Sequence, residues 1–233
     1  MPKLLILDIE TSPNLAYVWG LWNQNVGLDQ LVKATEMISW AAKWYGKKKI
    51  MFMSVGHNGK TSMLKGLWML LDEADVVIHY NGRSFDMPII RTDLLMNKIA
   101  PPSPVKQIDL IETAKRTFRF QSNRLEYLCR TLGIGKKKPH EGFTLWEKCM
   151  KGDAVAWKTM KEYNIQDVIL TEQLYTKLKP WMDNHPYLYD NGKCPKCGST
   201  SVTRQGYRIA VRYKYARFKC NSCAGWFQGE RVT

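Results

Sequence analysis

The chain is short of acid and short of histidine. Its 233 residues hold 21 aspartates and glutamates against 35 lysines and arginines, a formal net charge of +14, and only four histidines. His57, His79, His140 and His185 show no ligand spacing with one another, and His79 sits in an apparent core strand. No run of about 18 apolar residues occurs, which argues against a membrane span. The N-terminus has no basic leader, apolar stretch and small-residue cleavage site in sequence, so no secretory signal is read and cytoplasmic residence is the default expectation. Internal repeats and extended low-complexity segments are also missing. What is present is core-forming material: hydrophobic residues make up 45% and aromatics 12%, including nine tryptophans. Such a composition excludes a wholly disordered chain and supports one ordinary domain with a small appendage, or one large domain.

The basic excess is uneven. Residues 184–233 carry nine lysines and arginines against Asp190 and Glu230 alone, far denser than the rest of the chain. A field of this sign raises the local concentration of polyanions, so nucleic acid is the first partner to consider, then an acidic membrane surface, with a merely soluble basic surface as the plain alternative.

Periodicity predicts strands at Lys3 to Thr11, Met37 to Tyr45, Ile50 to Val55, Asp75 to Tyr80 and around Val105 to Leu110. It predicts helices over Ser62 to Glu73, after Asn81 with Pro88 in the first turn, over most of Ile111 to Leu132, and along Ala154 to Lys179 before Pro180. Strands mixed with helices indicate an α/β domain, expected over residues 1–183. Beyond the turn-rich "MDNHPYLYDNG" the texture becomes short and β-like, and a second unit is expected over 190–233.

That second unit contains Cys194-Pro-Lys-Cys197 and Cys220-Asn-Ser-Cys223. Each CxxC pair can present two thiolates to one ion, and four thiolates complete the closed tetrahedral shell of structural zinc, so a zinc ribbon is expected, with disulfides as the alternative. So short a segment has little core of its own, and metal binding would supply much of its folding free energy. Between the pairs, basic residues alternate with Tyr207, Tyr213, Tyr215 and Phe218, which offer either a packed face or stacking surfaces for bases. Cys129 and Cys149 lie in apolar helical contexts and read as packing residues.

The strand "LLILDIET" ends with Asp8 and Glu10, two residues apart and therefore on one face. Two adjacent carboxylates repel unless a proton or a cation compensates them. Two further acids fit the same request. Asp86 follows Asn81 and Phe85 between a buried strand and a Pro-initiated helix, where the helix N-terminus tolerates an anion, and Tyr163 and Asp167 stand at i and i+4 on one helix face. Taken singly, Asp86 could be a helix cap and Asp167 a solvated helix acid.

In this order the motifs resemble the DEDD superfamily of 3′→5′ exonucleases, most closely the proofreading exonuclease domain of family B DNA polymerases. "LDIET" matches the DxE motif, "YNGRSFDMP" the Asn and Phe/Tyr-Asp motif, and "EYNIQDV" the YxxxD motif. "QIDL" near Asp109 and "LEYLCRTLGI" are also similar, and the resemblance covers about residues 3 to 179. The residue five before Asp167 is Glu162 rather than His, which is similar to the Tyr subtype. The cysteine tail lies outside the family pattern, and 233 residues leave no room for a polymerase palm or thumb.

The resemblance implies a ribonuclease H-like mixed sheet flanked by helices and a hydrolysis run by two Mg²⁺ or Mn²⁺ ions. It implies that Asp8, Glu10, Asp86 and Asp167 hold these ions and that Tyr163 orients the attacking water. Thr11, Asn81 and Phe85 would steady the 3′-terminal nucleotides. A single-stranded DNA 3′ end is the expected substrate and 5′-mononucleotides the products. RNA trimming, structure-specific endonuclease cleavage and a non-catalytic nucleic-acid-binding module are the alternatives. The ribbon would hold substrate or a replication or repair protein. Lys47 to Lys49 and Lys136 to Lys138 are candidates to line the approach, against the plainer reading of solvated loop charge. Trp19, Trp22, Trp40 and Trp44 are expected in the core rather than as base-stacking platforms.

Overall fold

The computed structural model describes residues 2–232. Its main sheet has the order β5-β4-β1-β6-β7. Strand β1 (Leu4–Thr11) lies at the centre, paired antiparallel with β4 (Met37–Trp44) and parallel with β6 (Val76–His79). Strand β5 (Ile50–Ser54) continues the sheet beside β4, and β7 (Lys106–Asp109) runs parallel to β6. A central strand covered on both faces must be apolar throughout, and Leu4 to Leu7 are all buried. Each such side chain contributes about 1.5–3 kcal/mol of burial.

Side-chain alternation divides β1 between two cores. Leu5, Leu7 and Ile9 pack with α2 (Lys60–Glu73) and α3 (Asp86–Met96). Leu4 and Ile6 face α4 (Leu110–Thr117), α5 (Leu125–Thr131) and the 25-residue α7 (Ala154–Leu178). Asp8 and Glu10 continue that second row past the end of the apolar core, on the α7 side. Helix α7 starts where the Asp153 carboxylate accepts from the N–H groups of Val155 (2.8 Å) and Ala156 (3.0 Å), an N-cap worth about 1 kcal/mol. A four-residue α1 (Val55–Asn58) links β5 to α2.

Most predicted elements are present, with four departures. The segment expected to be mostly helical over 111–132 is broken between α4 and α5, and α6 (Phe143–Met150), of which only the helical setting of Cys149 was expected, packs Leu145 and Cys149 against Trp157 and Met160 of α7. Trp40 is buried and Trp44 half-buried, but Trp19 and Trp22 are 99% and 83% exposed. They lie on an arm of residues 12–36, closed by the short strands β2 (Leu15–Ala16) and β3 (Leu31–Lys33). Lys47 to Lys49 sit in the turn after β4; because β4 is antiparallel to β1, that turn lies at the start of β1, the opposite end of the sheet from the acids. No helix among the described residues is long and apolar enough to cross a membrane.

The tail forms a three-stranded antiparallel sheet, β8 (Val202–Ile209), β9 (Lys214–Cys220) and β10 (Trp226–Val232), in the order β10-β9-β8. The Lys196 ammonium, buried at the base of this tail, donates to the Pro180 carbonyl at 2.7 Å.

Candidate active site

Three of the four predicted acids converge. Ligand oxygens of Asp8, Glu10 and Asp167 all lie within 4.8 Å of one another. Strand pleat puts the first two on one face, and α7 crosses that face to deliver Asp167 from its fourth turn. Tyr163, one turn earlier, is buried beside it. Asp86 stands apart from this triad. It comes from the N-terminus of α3, on the other side of the sheet, and its Oδ1 accepts from the Ile9 N–H at 3.1 Å. Pairing with β6 ends at Ile6, so the Ile9 N–H has no strand partner on that edge and Asp86 takes the place of one.

Loop 80–85 is held by Asp109. Its carboxylate accepts from the N–H groups of Asn81 (2.8 Å), Arg83 (3.1 Å) and Ile111 (3.2 Å), clamping the loop and capping α4 together. Asn81 adopts φ +64°, a left-handed conformation that asparagine tolerates better than most residues. The buried His79 accepts from the Gly82 N–H at 3.0 Å, and a Cβ on Gly82 would come within 2.5 Å of its ring, so only glycine fits the turn. Phe85 is 45% exposed at the start of α3, and Thr11 ends β1 opposite Met37.

Two further residues join the site. Asn164, fully buried, donates from Nδ2 to Asp8 Oδ2 at 2.6 Å and accepts at Oδ1 from the Ser39 hydroxyl at 3.2 Å. It fixes the orientation of Asp8, and its signal in the sequence is a polar residue three before Asp167 on an otherwise apolar face. Lys137, from the basic loop before α6, donates to Asp167 Oδ2 at 2.5 Å and to the Tyr163 hydroxyl at 3.0 Å. Of the two lysine runs, then, only 136–138 reaches the site. The His140 ring meets Tyr163 edge-on at 4.7 Å, and Glu162, five residues before Asp167, turns outward to pair with Lys138.

The electrostatics follow from crowding acids in one place. Burial, then the charges of Asp167, Asp86 and Glu10, hold Asp8 well above the usual carboxylate range, with Lys137 acting against them. Burial and Asp167 push Glu10 up to about 8. Burial pushes Asp86 up to about 6, opposed by His79 and by the donated Ile9 N–H. Asp167 is raised by burial although Lys137 pulls it down, and burial together with Asp167 raises the Tyr163 phenol, which therefore stays protonated. Asp167 Oδ1 is buried with no hydrogen-bond partner. An all-oxygen donor set, an orphaned carboxylate oxygen and mutual repulsion are the chemistry that a hard divalent cation satisfies.

The family model described as the RNase_H superfamily matches residues 5–179. The chain belongs to the RNase H superfamily. The matched span runs from β1 to the end of α7, so it takes in every acid of the site. As a member of the RNase H superfamily the chain has the fold of a nucleic-acid-processing hydrolase, and divalent metals generally serve that fold. No curated protein matches it.

The four tail cysteines also converge, their sulfurs lying within 4.8 Å of one another. Cys194 and Cys223 Sγ are 3.7 Å apart, and Cys197 and Cys220 Sγ 3.6 Å. Thiolates about 2.3 Å from a shared tetrahedral ion are about 3.8 Å apart, whereas a disulfide requires about 2.05 Å. The spacing fits a shared metal and not two disulfides.

Proposed function

We propose that the chain is a metal-dependent 3′→5′ exonuclease of the DEDD superfamily, Tyr subtype, releasing 5′-mononucleotides from single-stranded DNA ends. The observation that carries this reading is the meeting of Asp8, Glu10 and Asp167 with the Tyr163 hydroxyl at the C-terminal end of β1. Asp8, Glu10 and Asp167 would hold Mg²⁺ or Mn²⁺, with Asp86 supporting the cluster from the α3 side. When bound, the ions supply positive charge that polarises the terminal phosphodiester and favours an ionised attacking water. Asn164 keeps one Asp8 oxygen turned to its partner and leaves the other for the metal side.

Tyr163 accepts from Lys137 and stays protonated, so its O–H remains a donor, shared with Asp167 in the absence of substrate and available to the attacking water or a phosphate oxygen when substrate is bound. Lys137 compensates Asp167 in the absence of metal and would be released to meet a phosphate once cations take over that duty. Asn81 and Phe85 would seat the terminal nucleotides, the exposed Phe85 ring against a base, with Thr11 beside the terminal sugar. The cysteine cluster would take one structural Zn²⁺.

Purified protein mixed with 5′-labelled single-stranded DNA or RNA, with Mg²⁺ or Mn²⁺, should give a ladder shortened one nucleotide at a time. Folded protein that yields no shortened product with either metal refutes the exonuclease reading. Long internal fragments would mark an endonuclease, and a ladder on RNA alone would mark RNA trimming.

A further inference from the structure

The register of the tail sheet sorts its side chains onto two faces. Cross-strand partners share a face and successive residues alternate. Arg208 pairs with Tyr215, Tyr215 with Arg231, Arg217 with Gln228, and Lys219 with Trp226. One face therefore carries Arg208, Arg217, Lys219 and Arg231 around Trp226 and Tyr215. The opposite face carries Phe218 and Phe227, whose rings stack 5.5 Å apart, with Arg204 beside Phe218 and Lys214 at the far end of β9.

The cationic face has no internal compensation. Arg208, Arg217, Lys219 and Arg231 are all exposed, and none takes part in an ion pair among the described residues. On each rung a cation neighbours an aromatic or amide side chain rather than another cation. The Arg217 guanidinium lies 5.2 Å from the Trp226 ring centre and that of Arg231 3.7 Å from the Tyr213 ring centre. Trp226 is 44% exposed, and the Lys219 ammonium also lies over its ring, 6.0 Å from the centre. Partly exposed rings interleaved with cations that have no acidic partner match the two recognition elements of a single strand: phosphates for the cations and bases for the rings.

We propose that this face of the tail sheet, formed by Arg208, Arg217, Lys219 and Arg231 around Trp226, binds single-stranded nucleic acid without sequence preference. The surface holds the strand outside the acid cluster. It is independent of whether those acids cleave, so its failure and the failure of the nuclease reading are separate results.

The test uses the full chain with Asp8→Asn, which keeps the strand intact, and a fluorescently labelled single-stranded oligonucleotide read by anisotropy over a series of NaCl concentrations. Replacing the four cations by Gln should lower the slope of log K against log salt by about 3, at about 0.7 per lost phosphate contact on a single strand. Trp226→Ala should weaken binding about tenfold or more with the slope unchanged, as expected for loss of one stacked base. Lys47→Gln/Lys48→Gln/Lys49→Gln, which removes exposed charge at the far end of the main sheet, should leave the slope near that of the parent.

Parental affinity and slope in the four-cation variant, with its bound metal retained, overturn the proposal and leave the face to a protein partner. An equal fall in slope from the Lys47 to Lys49 variant overturns it too, since diffuse charge would then suffice. Should the four-cation variant lose its metal, Trp226→Ala decides, because it keeps every charge and lies outside the cysteine cluster: unweakened binding overturns the proposal.

Discussion

Glu10→Gln should stabilise the metal-free protein. An ordinary glutamate ionises near 4.5, whereas burial and Asp167 push Glu10 up to about 8. Between those values the folded chain holds a proton that the unfolded chain has released, so the unfolded state binds fewer protons and stability falls as pH rises through the window. At about 1.4 kcal/mol per pH unit, Glu10 costs about 3 kcal/mol at pH 7, and solvent contact of its half-buried side chain reduces this to roughly 1.5–2 kcal/mol. For a chain of this size, that relief corresponds to a Tm rise of about 3–8 °C. The measurement is thermal unfolding in buffer freed of divalent ions by dialysis rather than by chelator, which would also strip the cysteine cluster. The rise should be present at pH 7 and nearly vanish at pH 5, and saturating Mg²⁺ should raise the Tm of the parent more than that of the variant. A lower Tm at pH 7, or equal Mg²⁺ stabilisation of both proteins, would refute the account of the acid cluster as a repulsive metal cage.

Tyr163→Phe removes the hydroxyl that meets Lys137; turnover on single strands should fall about 10²-fold with Tm nearly unchanged, as read by product ladders and thermal unfolding. Asp109→Asn removes the charged acceptor from the N–H groups of Asn81, Arg83 and Ile111. A loss of about 2 kcal/mol in urea unfolding is expected, with a weaker Mg²⁺ response because the Asp86 loop loses its clamp. Cys197→Ser should lower bound metal from one per chain to none by elemental analysis, while the ladder on short oligonucleotides persists.

The sequence revealed those parts of the site whose geometry is local. Two acids separated by one residue on a strand must share a face, and Tyr163 and Asp167 on one helix must stack, so both motifs could be placed before any fold was known. The two cysteine pairs were legible for the same reason. Partners recruited across the chain were not. Asn164 meets Asp8 across 156 positions and Lys137 meets Asp167 across 30; a polar residue on a helix face and a lysine in a basic run were legible, but not which acid each one meets. Asp109 was legible as part of a similar stretch but not as a clamp, because its partners are backbone N–H groups that every residue carries. Trp19 and Trp22 misled because aromatics normally buy burial, and only the third dimension shows that the arm has nothing to pack on.

That arm has a thermodynamic standing unlike the rest of the chain. From Ser12 to Leu28 it contains no charged residue, yet Tyr17, Trp19, Leu21, Trp22 and Leu28 remain largely in water. Folding draws its main driving force from apolar surface leaving water, and these side chains contribute almost none. The arm is tied at its stem, where the Ser12 N–H donates to the Glu36 carbonyl at 2.8 Å and the Thr35 hydroxyl to the Ser12 carbonyl at 2.6 Å. The main sheet is already closed beside it, through Thr11 and Met37. The arm is therefore detachable in the energetic sense: shortening it to its stem removes greasy surface that promotes self-association and takes away little that holds the sheet together.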